Sequence, residues 1–312
     1  SNMYLFRNSN TQKGRRFGID FEIAHPNYSR SEFKNIIENQ YSHVAVKRDP
    51  SLRGDESEII ITDTYHTKDN EGVSLWKDIV ATLINKGCQE SPRAGFHIHW
   101  DTEGMTAKNV YNAIALWFNY SAIIDYALPK ERRGSIVNIK KLTRRELGKL
   151  QRIARGEPEL KHYLQYAQNL LGHCRELTVN AKFKTIEFRK QKATLDVAVI
   201  QNWIAFTQNI MKNAINRDSF IGLWTDGKKR YAKMLNTDIY ANGSFAHTFR
   251  KVFQYYSGNQ SQFNFWTRKA IENAQDTNTE DVIREIRKKI TMANKSWNQS
   301  EYRNLSGYIN QI

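Results

Sequence analysis

Reactive side chains occur in pairs, two residues apart, at three separate places in this chain. The pairs are Asp20 and Glu22, His97 and His99, and Glu187 and Arg189. Apolar residues fill the alternate positions of each segment, and residues i and i+2 of a β-strand point to the same face. Each segment therefore predicts a strand with one apolar and one reactive face. If the strands share a sheet, the reactive face collects three carboxylates, two imidazoles and a guanidinium, which is typical of a metal and phosphate site.

Each pair has an ordinary explanation beside the chemical one. Acidic residues are common on the solvent face of a strand, but carboxylates are also the hard ligands that Mg²⁺ and Mn²⁺ prefer. Two histidines on one strand can share a metal or lie at a sheet edge. Glu187 and Arg189 can form a surface ion pair, or a metal-bound carboxylate beside a phosphate-binding guanidinium. The recurrence of one pattern in three segments favours the chemical explanation. Further candidates between the first two pairs are Asp49, Ser51 and Glu58.

Hydrophobic periodicity predicts an α+β fold with a largely antiparallel sheet and helices packed on one face. Strands are expected at 17–24, 44–47, 57–62, 95–101 and 182–190. Helices are expected from Ser31, over 72–86, from Thr106 to near Pro129, from Thr143, over 159–171 and from Thr194. Beyond residue 217 the composition changes, and helices are expected over 245–256, over 263–274 and from Thr277. Glycine-rich turns of the P-loop or dinucleotide type do not occur in the sequence.

Positive charge is concentrated in one segment of this basic chain. The net charge is +15 over 312 residues, and residues 130–155 carry ten basic side chains against two acidic ones, a local net charge of +8. A capping box at Thr143 and Glu146 predicts a helix there that buries Leu147, Leu150 and Ile153 and exposes its lysines and arginines. Such a face attracts polyanions, including nucleic acid or an acidic polymer, and the ordinary explanation is a solvated helix face with some affinity for phosphate.

Composition limits the cellular setting. No run of about 18 apolar residues occurs, so no membrane span is expected, and the start of the chain has no apolar stretch of the signal-peptide kind. The two cysteines, Cys88 and Cys174, are too few for a disulfide framework or a thiolate zinc cage. The expectation is a cytoplasmic protein in a reducing compartment.

The order of these motifs resembles the amidoligases, carboxylate–amine ligases with a glutamine-synthetase-like fold that are often found in phages and bacterial gene clusters. The matching segments are Phe17-Gly-Ile-Asp-Phe-Glu22, Asp49-Pro-Ser-Leu52, Glu58-Ile-Ile-Ile-Thr62, Ala94-Gly-Phe-His-Ile-His99, Arg175…Asn180, Thr185-Ile-Glu-Phe-Arg189 and Thr194-Leu-Asp196. The resemblance covers residues 14–217, which predicts a catalytic domain there and a helical C-terminal extension over 218–312. Asp20 departs from the pattern, because the family usually has a second glutamate at that position.

The resemblance implies a reaction and a set of residue roles. Ligases of this kind use Mg²⁺–ATP, or Mn²⁺–ATP, to phosphorylate a carboxylate, and an amine then displaces the phosphate. The implied metal ligands are Asp20, Glu22, Glu58, Glu187 and one or both of His97 and His99. The implied ATP-binding residues are Arg189, Arg132, Arg133, Asp49 and Ser51. Glu187 and Arg189 would act in catalysis, and Asn180 would orient a carboxylate of the substrate or ligand. For Arg132 and Arg133, membership of the basic face is an equally good explanation.

Two other functions fit the same residues. A metal-dependent nuclease or phosphoesterase would use the carboxylate and histidine face beside the basic segment and would need no ATP. A non-enzymatic nucleic-acid-binding protein would keep the basic surface on a relic of a ligase core. A ligase that acts on a polyanionic acceptor would combine both features. The sequence does not name the acid or the amine substrate.

Overall fold

The computed structural model describes residues 6–7, 15–50, 52–61, 71–91, 94–129, 132, 142–172, 174–223 and 260–273. The chain divides into two compact units. The first comprises residues 1–114 and 139–220, and the second comprises residues 115–138 and 221–312. All three reactive pairs lie in the first unit. The division at residues 217 and 218 between a catalytic domain and an extension stays a prediction.

The first unit is built on an open antiparallel sheet, which confirms the predicted α+β class. Its strands are β1 (Phe6–Arg7), β2 (Arg16–Ala24), β3 (Val44–Lys47), β4 (Glu56–Ile61), β5 (Gln89–Glu90), β6 (Gly95–Asp101), β7 (Leu177–Asn180) and β8 (Thr185–Lys192). The order across the sheet is β3-β4-β2-β6-β8-β7, and the short strands β1 and β5 pair with β2. Strand β7 does not appear among the strands predicted from the sequence. The three strands with reactive pairs, β2, β6 and β8, are neighbours at the centre of the sheet.

One face of this sheet is apolar. The alternate residues of the three central strands are almost completely buried, with exposed fractions of 0 or 1%. They are Phe17, Ile19, Phe21 and Ile23 of β2, Phe96, Ile98 and Trp100 of β6, and Ile186 and Phe188 of β8. The rings of Phe17 and Trp100 lie 4.9 Å apart across the β2–β6 pair. The opposite face is therefore the one that carries the reactive side chains.

Helices contribute to the core of the first unit. They are α1 (Arg30–Gln40), α2 (Glu71–Asn85), α3 (Ala107–Ile124, which passes into the second unit), α4 (Arg144–Arg155), α5 (Leu160–Leu171) and α6 (Val197–Ile215). Helix α6 lies against the apolar face of the sheet, where the Trp100 indole N–H donates to the Thr207 hydroxyl at 2.9 Å. A stop after α2 is confirmed at Gly87, whose φ of +77° is the left-handed conformation that favours glycine.

Two details of the predicted helices are wrong. In α4 the capping box at Thr143 and Glu146 is present, and Leu147 and Leu150 are buried as expected. Ile153, however, is 39% exposed, and the smaller Ala154 takes the inward position instead. Helix α6 begins after Asp196, not at Thr194. The Asp196 carboxylate accepts hydrogen bonds from the N–H groups of Ala198 and Val199, as an N-cap does.

The second unit contains the end of α3, a 3₁₀ turn at Asp125–Ala127 and helix α7 (Gln260–Glu272). Helix α7 overlaps the helix predicted over 263–274 but begins three residues earlier and ends two residues earlier, and Trp266 and Ala270 are buried. The helices predicted over 245–256 and from Thr277 lie outside the described residues. Among the helices of the described ranges, none is both long and apolar enough to cross a bilayer.

Both cysteines lie in the first unit and are buried. Cys88 is 7% exposed and Cys174 is 4% exposed, and neither forms a disulfide. Burial raises the pKa of the Cys88 thiol to about 11, because a thiolate is poorly solvated in an apolar environment.

Candidate active site

Strand register brings the reactive pairs into contact. Asp20 of β2 lies directly opposite His97 of β6, and His99 of β6 lies directly opposite Glu187 of β8. Directly opposed residues of antiparallel strands point to the same face, with their Cβ atoms about 5 Å apart. The centre of the polar face is therefore a cluster of these four side chains, and two adjacent strand pairs hold it in place.

Asp20 is the hub of this cluster. Its Oδ1 lies 2.9 Å from His97 Nδ1 and its Oδ2 lies 3.0 Å from His99 Nε2. Glu187 Oε1 approaches the same two nitrogens at 3.4 and 3.7 Å, and it lies 3.3 Å from Arg189 Nε. The His99 side chain is only 3% exposed and His97 is 19% exposed, so His97 lies nearer the opening of the site.

Electrostatics in the cluster favour the ionised forms of Asp20 and His99. Burial by itself raises the pKa of the Asp20 carboxyl, but His97 and His99 outweigh that effect and hold its pKa well below the usual range. For His99, burial lowers the pKa, yet Glu187 and Asp20 outweigh it, so the pKa of the imidazole is raised. Its other nitrogen, Nδ1, lies 3.1 Å from the Thr185 hydroxyl, which fixes the plane of the ring. The Asp20 carboxylate is therefore ionised and can bind a metal cation in place of a proton.

A second group of carboxylates lies beside the cluster. Glu22 of β2 is directly opposite Glu58 of β4, on the same face as Asp20. Burial, together with the nearby charges of Asp20, Glu22 and Asp49, raises the pKa of the Glu58 carboxyl to about 7, although His97 acts in the opposite direction. Carboxylates that repel one another in this way are stabilised by a bound cation, which removes the repulsion.

The donor atoms fit a divalent metal. Asp20, His97 and Glu187 each offer one ligand atom, and the three atoms lie within 4.8 Å of one another. Two carboxylate oxygens and one imidazole nitrogen suit Mn²⁺ and similar ions better than Mg²⁺, which prefers oxygen ligands alone. Glu22 and Glu58 supply oxygen atoms next to this set. The arrangement can hold metal and bring a guanidinium beside it.

Other predicted site residues have different surroundings. Asn180 ends β7, and its side-chain oxygen accepts a hydrogen bond from the Phe183 N–H at 2.9 Å within the β7–β8 turn. Asp49 lies close enough to act on the charge of Glu58. Arg132 belongs to the second unit, and Ser51 and Arg133 lie outside the described residues.

Sequence reasoning did not find three residues that support the site. Thr185 supports His99, as described above. Lys190 and Glu176 form an ion pair at 3.1 Å, with exposed fractions of 1% and 0%. The burial of Lys190 and Glu176 results from packing between chain segments that come together only in the folded protein, so no local sequence pattern indicates it. Thr185 had a usable signal, because alternation places it on the same face as Glu187.

Comparison with known proteins identifies a family for this chain. None of the curated proteins matches the chain. The model of a family described as "putative amidoligase enzyme" matches residues 56–211, which is half of the chain. The match includes Glu58, both histidines, Glu187 and Arg189, while Asp20 and Glu22 precede it. The chain therefore belongs to the amidoligase family.

Proposed function

We propose that this protein is an ATP-dependent carboxylate–amine ligase that acts through an acyl-phosphate intermediate, with a glutamine-synthetase-like catalytic core. The observation that carries the proposal is the position of Asp20, His97 and Glu187 in a chain of the amidoligase family. One ligand atom of each residue lies within 4.8 Å of the other two, and we call the region between these three atoms the metal-sized space. Arg189 adds a guanidinium 3.3 Å from Glu187. Carboxylates for a metal beside a cation for phosphate are what phosphoryl transfer requires, since its catalysis is mainly positioning and charge stabilisation.

Each residue has a role that follows from its place. Asp20, His97 and Glu187 would hold a first divalent metal, and Glu22 and Glu58 would add oxygen ligands. A metal held by these residues would supply positive charge to offset that of the ATP phosphates. His99 would orient Asp20 from beneath, because it is buried and hydrogen-bonded on both ring nitrogens.

Arg189 would bind the transferred phosphoryl group. Its guanidinium lies beside Glu187 and presents planar donors that match phosphate oxygens. The substrate carboxylate would attack the γ-phosphorus of ATP and release ADP. The amine would then attack the acyl carbon, and inorganic phosphate would leave as the amide bond forms. Asp49, Ser51, Asn180, Arg132 and Arg133 remain candidates for nucleotide or substrate contacts.

The test is a screen for ADP release over amino acids, other carboxylic acids and polyamines, with Mg²⁺ and with Mn²⁺. Turnover should require both a carboxylate and an amine, and Mn²⁺ should support it at least as well as Mg²⁺.

Glu22→Ala and Glu187→Ala should each abolish turnover. Glu22→Ala should not lower the melting temperature of the metal-free protein, because Glu22 lies opposite Glu58 and its removal relieves their repulsion. Glu187→Ala should lower it, because Glu187 pairs with His99 and Arg189. Glu159→Gln is the matched control, since that carboxylate is 70% exposed and directly precedes α5, far in sequence from the reactive pairs. Release of AMP in place of ADP would contradict an acyl phosphate.

The exposed face of α4 favours a polyanionic acceptor, such as nucleic acid bearing an amine or an acidic peptide. Arg144, Arg145, Arg152 and Arg155 are exposed there, and Lys149 is half-buried. Replacing Arg144, Arg145 and Lys149 with Gln should weaken polyanion binding and flatten its salt dependence, because fewer counterions are released. Turnover of a small acid and amine should change little.

A charge-matched control tests whether the effect belongs to α4. The variant R53Q/K182Q/K212Q removes three exposed cations elsewhere in the first unit. Equal loss of binding in both triple variants would assign the attraction to net charge alone.

A metal-dependent nuclease or phosphoesterase is the second candidate, favoured by the same cluster in a basic chain. Cleavage of nucleic acid with Mn²⁺ and no ATP would select it. A binding protein without catalysis is the third. Such a protein would keep nucleic-acid binding after Glu22 and Glu187 are both replaced by Ala. The unmutated protein would not bind ATP.

A further inference from the structure

Strand β8 contains a β-bulge beside the metal-sized space. Phe96 of β6 is opposite Gln191, but Ile98, two residues later, is opposite Phe188. His97 therefore faces two residues of β8, Arg189 and Lys190. A bulge of this kind adds one residue to one strand and reverses the alternation beyond it.

The bulge changes which side chains of β8 reach the polar face. Beyond it, Gln191 is opposite Phe96 on the apolar face and is 3% exposed. Lys192 is directly opposite Gly95, which shares a face with His97 by alternation along β6. Without the extra residue, alternation from Arg189 would have put Lys192 on the apolar face. The bulge is thus the reason that Lys192 lies on the polar face.

A buried ion pair holds the bulge. The Glu176 carbonyl accepts the Arg189 N–H at 2.8 Å, and its carboxylate accepts from Lys190 Nζ at 3.1 Å. Both residues of the bulge are therefore tied to one residue of the neighbouring chain segment. Because the Lys190 and Glu176 side chains are almost completely buried, these contacts oppose a shift of the bulge and support the register that places Lys192 opposite Gly95.

The cations along this strand differ in their partners. Arg189 lies against Glu187, and Lys190 lies against Glu176. Within the described part of the chain, the Lys192 ammonium has neither an ion pair nor a side-chain hydrogen bond. Gly95, opposite it, has no side chain to fill the space. Lys192 lies opposite Gly95, which is two residues before His97 on β6. Lys192 and His97 are therefore on the same face, about 7 Å apart along the strand direction. A lysine side chain spans that distance.

We propose that Lys192 binds a phosphoryl oxyanion next to the metal-sized space. The inference deepens the proposed ligase function and rests on it for the source of the phosphate. Lysine suits this role as a flexible point charge, whereas the fixed fork of Arg189 already lies beside Glu187. The polar face would then carry carboxylates for the metal on β2 and β4 and cations for phosphate on β8.

Calorimetric titration with two probes in the presence of Mn²⁺ tests the proposal. The probes are inorganic pyrophosphate and the non-hydrolysable ATP analogue AMP-PNP. Lys192→Met should raise the Kd of both by about 10- to 100-fold, the effect of one charge-assisted contact. Lys192→Arg should stay within a few-fold of the parent, because it keeps the charge. Lys182→Met is the matched control, an exposed lysine of the same hairpin but in its turn. Affinity for Mn²⁺ alone should be equal in all four proteins.

The outcomes separate this inference from the ligase proposal. A Lys192→Met protein that binds pyrophosphate within twofold of the parent overturns the role of Lys192. An equal loss in Lys182→Met also overturns it, because it assigns the effect to net charge. A parent that binds pyrophosphate but not AMP-PNP overturns ATP use and leaves the role of Lys192 standing. A parent that binds neither overturns both. Thermal unfolding of each variant checks that the fold is retained.

Discussion

Removing the Lys190 side chain should destabilise the protein severely, although the residue lies outside the metal cluster. Lys190 and Glu176 are 1% and 0% exposed, and their Nζ and Oε1 atoms are 3.1 Å apart. Within the described residues, Glu176 Oε2 has no hydrogen-bond partner, so Lys190 is the main compensation for this buried carboxylate. Breaking a buried pair by removing one partner costs about 3–5 kcal/mol, because the remaining charge is left uncompensated. Lys190→Met should lose about that much stability.

Urea denaturation followed by circular dichroism measures the loss. At about 2–4 °C per kcal/mol for a unit of this size, the melting temperature should fall by roughly 6–20 °C. The double variant E176L/K190M should recover to within about 1 kcal/mol of the parent, because replacing both charges with apolar groups is often neutral. The matched control is Lys161→Met. Lys161 Nζ lies 3.9 Å from Glu159 Oε2 and both side chains are exposed, so this change should alter the stability by no more than about 0.5 kcal/mol. A Lys190→Met protein within about 1 kcal/mol of the parent would refute the reasoning.

Three further changes test the site and the fold. The pKa of Glu58 rises from 4.5 to about 7 on folding, so this carboxyl favours folding less as pH increases between those values. Metal-free Glu58→Gln should therefore be more stable than the parent above pH 7, with the gain gone below about pH 4.5, as urea titrations at several pH values would show. His99→Ala should cost about 1–3 kcal/mol and His97→Ala less, because only His99 is a fully buried partner of Asp20; equal losses in thermal unfolding would argue against that difference. Thr143→Ala should cost about 1 kcal/mol in unfolding free energy while Thr143→Ser keeps the cap, and identical values for the two would exclude the capping box as a source of stability.

Local periodicity was sufficient to predict the strands that hold the reactive pairs. The alternation around Asp20, His97 and Glu187 is a property of five or six consecutive residues, and burial of one face enforces it in the fold. The resemblance to the amidoligases added the roles, and the family match supports the family but not each role. The assignments of individual metal and ATP ligands stay predictions.

Features that depend on pairing between distant segments could not be predicted. The bulge at Arg189 and Lys190 exists only relative to β6, so no pattern within β8 reveals it. The start of α6 is similar. Thr194 and Asp196 are both good capping residues, but Thr194 donates its hydroxyl to Glu90, more than a hundred positions away, and leaves the cap to Asp196. Strand β7 is an exception, because the alternation of Leu177 and Val179 with polar residues was visible in the sequence.

The two buried thiols offer a way to measure local opening without any engineered probe. Alkylating reagents react only with a thiolate that solvent can reach, so labelling of Cys88 or Cys174 must wait until its surroundings open. Cys174 lies two residues before Glu176, and Cys88 lies just after α2. Mass-spectrometric labelling rates at the two positions therefore report two separate opening free energies in the same molecule. If the segment around Glu176 is among the last to open, labelling of Cys174 should slow to the rate of global unfolding.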